Sequence, residues 1–278
     1  TRQETGLDIS HLGTLDFFER LTHMISRREG FGDILAEGLL RAGDVLGEQA
    51  ISNFRPEVSG VGDGATYSGR EYLMNALLYA FEPRQPIAML HEISRLTGLW
   101  AMHQENPQAS PVSSEVFRKV AARFWGHEKA WDLMTHEGKA HAAVNIMDRT
   151  YTKDCLLLCD SCWPVMFSWN TPDHVGDPTL ESRTFTAVTG IEMDEKSLNV
   201  YGERIFNLER AILIREGKKP LIDDDVADYN YTQPVQTVFM NPKGLIPGPG
   251  DEVLNRKGMT LEGGQFDSMR REFYQLRG

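Results

Sequence analysis

Apolar residues recur at three- and four-residue steps along most of the chain, the period of a helix that buries one face. Leu15, Phe18, Leu21 and Ile25, joined by Phe17 and Met24, form the first such stripe. It runs out at Arg27-Arg28-Glu29-Gly30, with cations in the last turn and Gly30 placed for a left-handed cap. A second helix is expected from Asp33, with Ile34, Leu35, Leu39 and Val45 on its buried face, up to Gly47. Residues 53–68, with Pro56, Gly60, Gly62 and Gly64, read as a loop. Helices are then predicted at about 70–81, 86–103, 115–124 and 128–149.

The C-terminal part repeats the habit. Asp194 is placed as an N-cap with Glu195 in the first turn. Leu198, Tyr201, Ile205, Leu208 and Ile212 step along one face to Arg215-Glu216-Gly217. Residues 218–262 are rich in proline and polar side chains and read as an extended surface segment. Phe266, Met269, Phe273 and Leu276 predict a last amphipathic helix over 265–277. Strand alternation is weak, and Thr237-Val238-Phe239 is too short to build a sheet. The pattern is all-α. Arg-Glu-Gly ends a predicted helix twice, at 28–30 and 215–217, as two independent glycine caps would.

Composition narrows the class without naming a function. With 278 residues, 41% hydrophobic and 25% charged, the chain is an ordinary globular protein of about two domains. The longest apolar run, Ala211-Ile212-Leu213-Ile214, is far short of the ~20 residues of a membrane span. Gln3, Glu4 and Asp8 leave no room for a secretory signal at the start given. A net charge of −11 argues against nucleic-acid and anionic-membrane partners, which need Lys/Arg stripes.

The three cysteines, Cys155, Cys159 and Cys162, fall within one short segment. Thiols so close together are no disulfide framework; they suit metal or redox chemistry in a reducing compartment, which points to the cytoplasm. Their Cys-x3-Cys-x2-Cys spacing matches that of radical SAM enzymes, and all three could serve an iron–sulfur cluster. Helices precede the trio, however, and no βα repeats follow. Two blander readings stand beside this one. Leu156, Leu157 and Leu158 suggest a core segment with inert thiols, or one cysteine binds metal while the others pack.

Other candidates are sparser. His91 lies early on a predicted helix, near Arg84, where a neutral imidazole could relay a proton or simply be a satisfied core histidine. Gly60, Gly62 and Gly64 form no phosphate-binding pattern, which argues against nucleotide binding.

Three segments together resemble the aldehyde ferredoxin oxidoreductase family, tungsten or molybdenum enzymes with two pyranopterins and a [4Fe-4S] cluster. They are Arg28-Glu29-Gly30-Phe31-Gly32-Asp33-Ile34-Leu35-Ala36-Glu37-Gly38, Asp154 to Cys159, and Gly202-Glu203-Arg204-Ile205-Phe206-Asn207-Leu208-Glu209-Arg210 running on to Gly217. The resemblance covers nearly the whole chain but only the family's helical C-terminal domains. It implies an irregular multi-helix array of two subdomains, residues 1–82 and 83–278.

The family's two pterin motifs, D-x-x-G-L-D and D-x-x-G-L-C, resemble Gln3 to Asp8 and Asp154 to Cys159, with Gln3 replacing the leading Asp and Leu157 replacing Gly. A carboxylate there accepts paired N–H bonds from the pterin edge. By this resemblance Gly6, Leu7, Asp8, Asp154 and Leu158 contact pterin and Cys159 is the fourth cluster ligand. Pro83-Arg84-Gln85-Pro86 resembles the segment before the family's catalytic His; Ala88 stands at the expected step, and His91 is nominated instead. The implied enzyme oxidises an aldehyde or related small molecule to the acid and passes electrons to a ferredoxin. It also implies that this chain is a C-terminal piece of that enzyme. Its partner would be the missing N-terminal part, and alone it would hold no cofactor and be inactive. Two alternatives are an autonomous iron–sulfur or radical SAM-type protein using Cys155, Cys159 and Cys162, and a non-catalytic helical scaffold.

Overall fold

The computed structural model describes residues 5–47, 67–84 and 87–278. They belong to two compact units, Thr1–Ala65 and Thr66–Gly278. Both are helical, and the single sheet among the described residues is a two-stranded hairpin. The fold is all-α, as the periodicity predicts. Of the expected loop at 53–68, only Tyr67 and Ser68 fall within the described residues.

In the first unit a 3-10 turn, Ile9–His11, precedes α1 (Leu15–Arg27), α2 (Phe31–Ala36) and α3 (Leu39–Leu46). The one helix predicted from Asp33 to Gly47 is therefore two. Gly38, at φ 88°, takes a conformation no helix continues through. Arg28 rather than Gly30 forms the left-handed cap of α1 (φ 56°), its N–H reaching Ile25 O at 3.2 Å while Glu29 N–H reaches Met24 O at 2.9 Å. The Arg28 guanidinium then binds Asp33 at 2.7 Å and Glu37, tying α1 to α2 across the corner. Gly32 sets the approach of the two helices: an added Cβ would lie 2.2 Å from the Met24 carbonyl carbon. Most of the stripe predicted to be buried on α1 is not. Phe17 is buried, whereas Leu15 and Phe18 are exposed.

The second unit is built around α7 (Lys139–Cys155). Packed against it are α4 (Leu73–Phe81), α5 (Ile87–Glu105), α6 (Ser114–Phe124), α9 (Glu195–Arg215) and α11 (Gly263–Arg277). Every residue of α4 is buried, the expected fate of a helix apolar all round. The helix predicted from 128 starts only at Lys139, because Gly138 at φ 74° closes a run of turns before it. The buried Lys139 ammonium binds the carbonyls of Lys129 (3.2 Å) and Glu137 (2.9 Å), which ties those turns to α7.

Where α9 crosses α7, a Cβ on Gly202 would lie 1.9 Å from Asp148 O. That contact rotates the helix. Leu198, Gly202, Phe206 and Arg210 are buried, while Tyr201, Leu208 and Ile212 of the predicted stripe are exposed. Arg210 binds the buried Asp224 carboxylate through two 2.8 Å bonds, and Tyr274 joins them. Gly217 (φ 108°) supplies the left-handed residue after α9, so the repeated Arg-Glu-Gly uses Arg in one copy and Gly in the other. An unpredicted helix, α8 (Leu180–Thr189), precedes α9. The segment 218–262 is less superficial than expected. It carries α10 (Tyr229–Thr232), pairs β1 (Leu245–Pro247) with β2 (Val253–Asn255), and buries Val235, Val238 and Ile246.

Candidate functional site

The C-terminal end of α7 starts the site. Leu157 N–H reaches Asp154 O at 3.1 Å and Leu158 N–H reaches Lys153 O at 3.0 Å, the paired bonds of a Schellman ending. Such an ending needs a left-handed residue, and Leu157 provides it at φ 56° with its side chain 91% exposed. The chain then folds into a second turn, in which Cys162 N–H (3.0 Å) and Trp163 N–H (2.9 Å) both donate to Cys159 O.

This turn is docked on α5. Asp160 Oδ2 lies 2.5 Å from His91 Nδ1, and the ring of Tyr67 meets His91 edge-on at 5.8 Å. Arg95, one helical turn after His91, donates to Ser161 O at 3.4 Å. Between them, Glu92 faces inward to Arg149 and to Lys153, whose ammonium is 3.6 Å away. Lys153 also donates to Trp163 O at 3.3 Å, so the buried ion network fixes the turn from behind. Burial lowers the Lys153 pKa. Removing one partner of such a buried set costs about 3–5 kcal/mol. The network thus holds α5, α7 and the turn in one register.

A cavity of about 110 Å³ opens here, lined among others by His91, Arg95, Asp160, Cys162, Trp163 and Met166. It is small beside the ~300–1,000 Å³ of drug-sized sites and suits a ligand of few atoms. The sequence nominated His91 but missed Asp160, Arg95 and the Glu92–Arg149–Lys153 set. A signal existed: Arg149 and Lys153 stand four apart on one helix face, with Glu92 beside His91.

All three thiols are exposed rather than packed in a core. The Ser161 backbone N–H, more than any other group, holds the Cys159 pKa below its usual value. Asp154 is 45% exposed, and its Oδ2 sits 3.5 Å from Arg84, whose guanidinium is gripped by Glu82. Asp8, in the other unit, accepts from Ser10 N–H at 3.1 Å and caps the 3-10 turn. Gly6 (φ 70°) gives its carbonyl to Arg20 at 2.8 Å, and Leu7 is buried. Gly6 also lines an open cavity of about 470 Å³ with Arg20, His23 and Arg27. Gln3 lies outside the described residues.

A family model described as aldehyde ferredoxin oxidoreductase, domains 2 & 3, matches residues 1–278. The chain belongs to this family. No solved structure matches it. Aldehyde ferredoxin oxidoreductase membership makes it part of an oxidoreductase family and explains the resemblance carried by the three segments. Two of those segments are architectural: the Arg28–Gly38 stretch forms the α1–α2 corner, and Gly202–Arg210 forms the α7–α9 crossing.

Among the described residues no three His, Cys, Asp or Glu side chains are placed to hold one metal ion. One exposed thiol of lowered pKa on an anchored turn does fit a cluster ligand. A half-exposed carboxylate at a helix end, beside the left-handed turn at Leu157, likewise fits an acceptor for a pterin edge. Among the described residues no helix is long and apolar enough to cross a membrane.

Proposed function

We propose that this chain is the helical side of an aldehyde-oxidising site, acting with the family's N-terminal part and passing electrons to a ferredoxin-like acceptor. The observation that carries the reading is the Asp160–His91 contact, which ties the Cys159 turn to the one histidine nominated for proton work. When bound, the tungsten or molybdenum pyranopterin would supply the two-electron oxidation and the [4Fe-4S] cluster the electrons' way out. Cys159 would ligate the cluster, while Asp154 with Leu158, and Asp8 with Gly6 and Leu7, would hold the pterins.

His91 handles the proton in this reading. Its Nδ1 faces the Asp160 carboxylate, so in the neutral ring Nδ1 carries the hydrogen and Nε2 keeps the lone pair. Converting an aldehyde and water to an acid releases two protons and two electrons, and Nε2 takes one of those protons. Arg95 places positive charge beside the cavity where a carboxylate product forms. The free thiols suit a reducing cytoplasm. Residues 1–278 by themselves hold neither group stably in this reading, since a single cluster thiol is too few.

The test is iron and sulfide content after anaerobic purification of the full gene product. Cys159→Ser is expected to lose the cluster, while Cys155→Ser and Cys162→Ser keep it. Equal loss in all three variants would favour a three-thiol site and overturn the reading.

A further inference from the structure

We propose that Cys159 and Cys162 form a reversible disulfide, making the Cys159-Asp160-Ser161-Cys162 turn an exchange site for low-molecular-weight disulfides. The turn geometry comes first. Cys162 N–H donates to Cys159 O at 3.0 Å, which brings the two Cα atoms to about 7 Å or less, within bridging range. Both side chains are exposed to an incoming reagent. The turn is also held at both ends, by Asp160 on His91 and by Lys153 on Trp163 O, so bridging asks for little reorganisation. Cys155 is set apart from the pair, on α7 before the left-handed Leu157.

The exchange runs in two steps. Cys159 sulfur gives up its proton and attacks one sulfur of the small disulfide, whose S–S bond breaks to release one thiol. Cys162 sulfur, losing its proton in turn, attacks the mixed disulfide at Cys159 and releases the second thiol. Two electrons and two protons pass from the cysteine pair to the small disulfide, which leaves as two thiols. The bridge does not depend on the cluster assignment. Its consequence does: if Cys159 is the cluster ligand, the bridge withdraws it and cluster loading becomes redox-gated.

The purified metal-free protein is treated with oxidised glutathione, its thiols are counted after denaturation, and its peptides are mapped by mass. The expected result is loss of two of the three thiols, a peptide lighter by two hydrogens joining residues 159 and 162, and full recovery with dithiothreitol. Cys155→Ser is expected to bridge as before, and Cys162→Ser to stop at a glutathione adduct on Cys159. A stable adduct on wild-type Cys159, a bridge that includes Cys155, or no thiol loss would each overturn the proposal. In the full gene product, a bridged form that takes up as much iron as the reduced form would leave the exchange site standing and remove Cys159 from the cluster.

Discussion

Asp160 Oδ2 sits 2.5 Å from His91 Nδ1, so a residue of the cysteine turn fixes the ring of a residue on α5. If His91 works through Nε2, the carboxylate sets which nitrogen carries the hydrogen. Asp160→Asn keeps the size but can donate to Nδ1, which favours the wrong tautomer. In the complete enzyme, kcat should fall by about 10²-fold or more with KM changed little, the size of a lost general base. Steady-state kinetics decides it. An unchanged kcat would remove His91 from proton transfer.

Leu157 carries the positive φ that the Schellman ending requires. A non-glycine residue held there costs about 1–2 kcal/mol, partly recovered because glycine loses more entropy on folding. Leu157→Gly should therefore raise stability by about 0.5–1 kcal/mol, read as a higher urea midpoint at unchanged slope. Leu157→Ile should lower it, since a β-branched residue fits that region worst.

Gly202 is a packing residue. A methyl group there would strike Asp148 O at 1.9 Å, and Gly202→Ala should cost about 3 kcal/mol or force α9 off α7. Gly264→Ala is the control, because its Cβ would meet nothing nearer than Glu262 Oε1 at 3.8 Å. That change should be neutral or mildly stabilising. Urea unfolding of both variants compares them directly.

Lys139 gives a pH prediction. Burial pushes its pKa from 10.5 down to about 8 in the folded protein. Below pH 8 both folded and unfolded states bind the proton, and the cost of the buried charge is fully present. Between about pH 8 and 10.5 the unfolded state binds more protons, so stability from this group rises with pH. Lys139→Met removes that dependence. The stability difference, wild type minus variant, should grow in favour of wild type by about 1–3 kcal/mol from pH 7.5 to 10. A difference that stays flat over this window would contradict the lowered pKa.

The helical periodicity was legible because it is local. Leu73–Phe81 and Phe266–Phe273 read as helices and are helices. Faces and ends were less legible. The apolar line Tyr201–Leu208–Ile212 promised the buried side of α9, but Gly202 brings α7 so close that its own line is buried instead. Gly30 looked like the cap of α1, yet Arg28 takes that conformation because its guanidinium gains Asp33 and Glu37 across the corner. The site followed the same division: the cysteine trio was visible in sequence, and its partner Asp160 was not.

The amino-acid order by itself determined the helical class, the closeness of the three thiols and the family's segments, since spacing and residue type carry those. Tertiary structure alone decided which carboxylate faces His91 and which helix faces are buried. Those depend on groups far apart in the chain, from Glu92 to Arg149 and from Gly202 to Asp148, meeting where the helices cross.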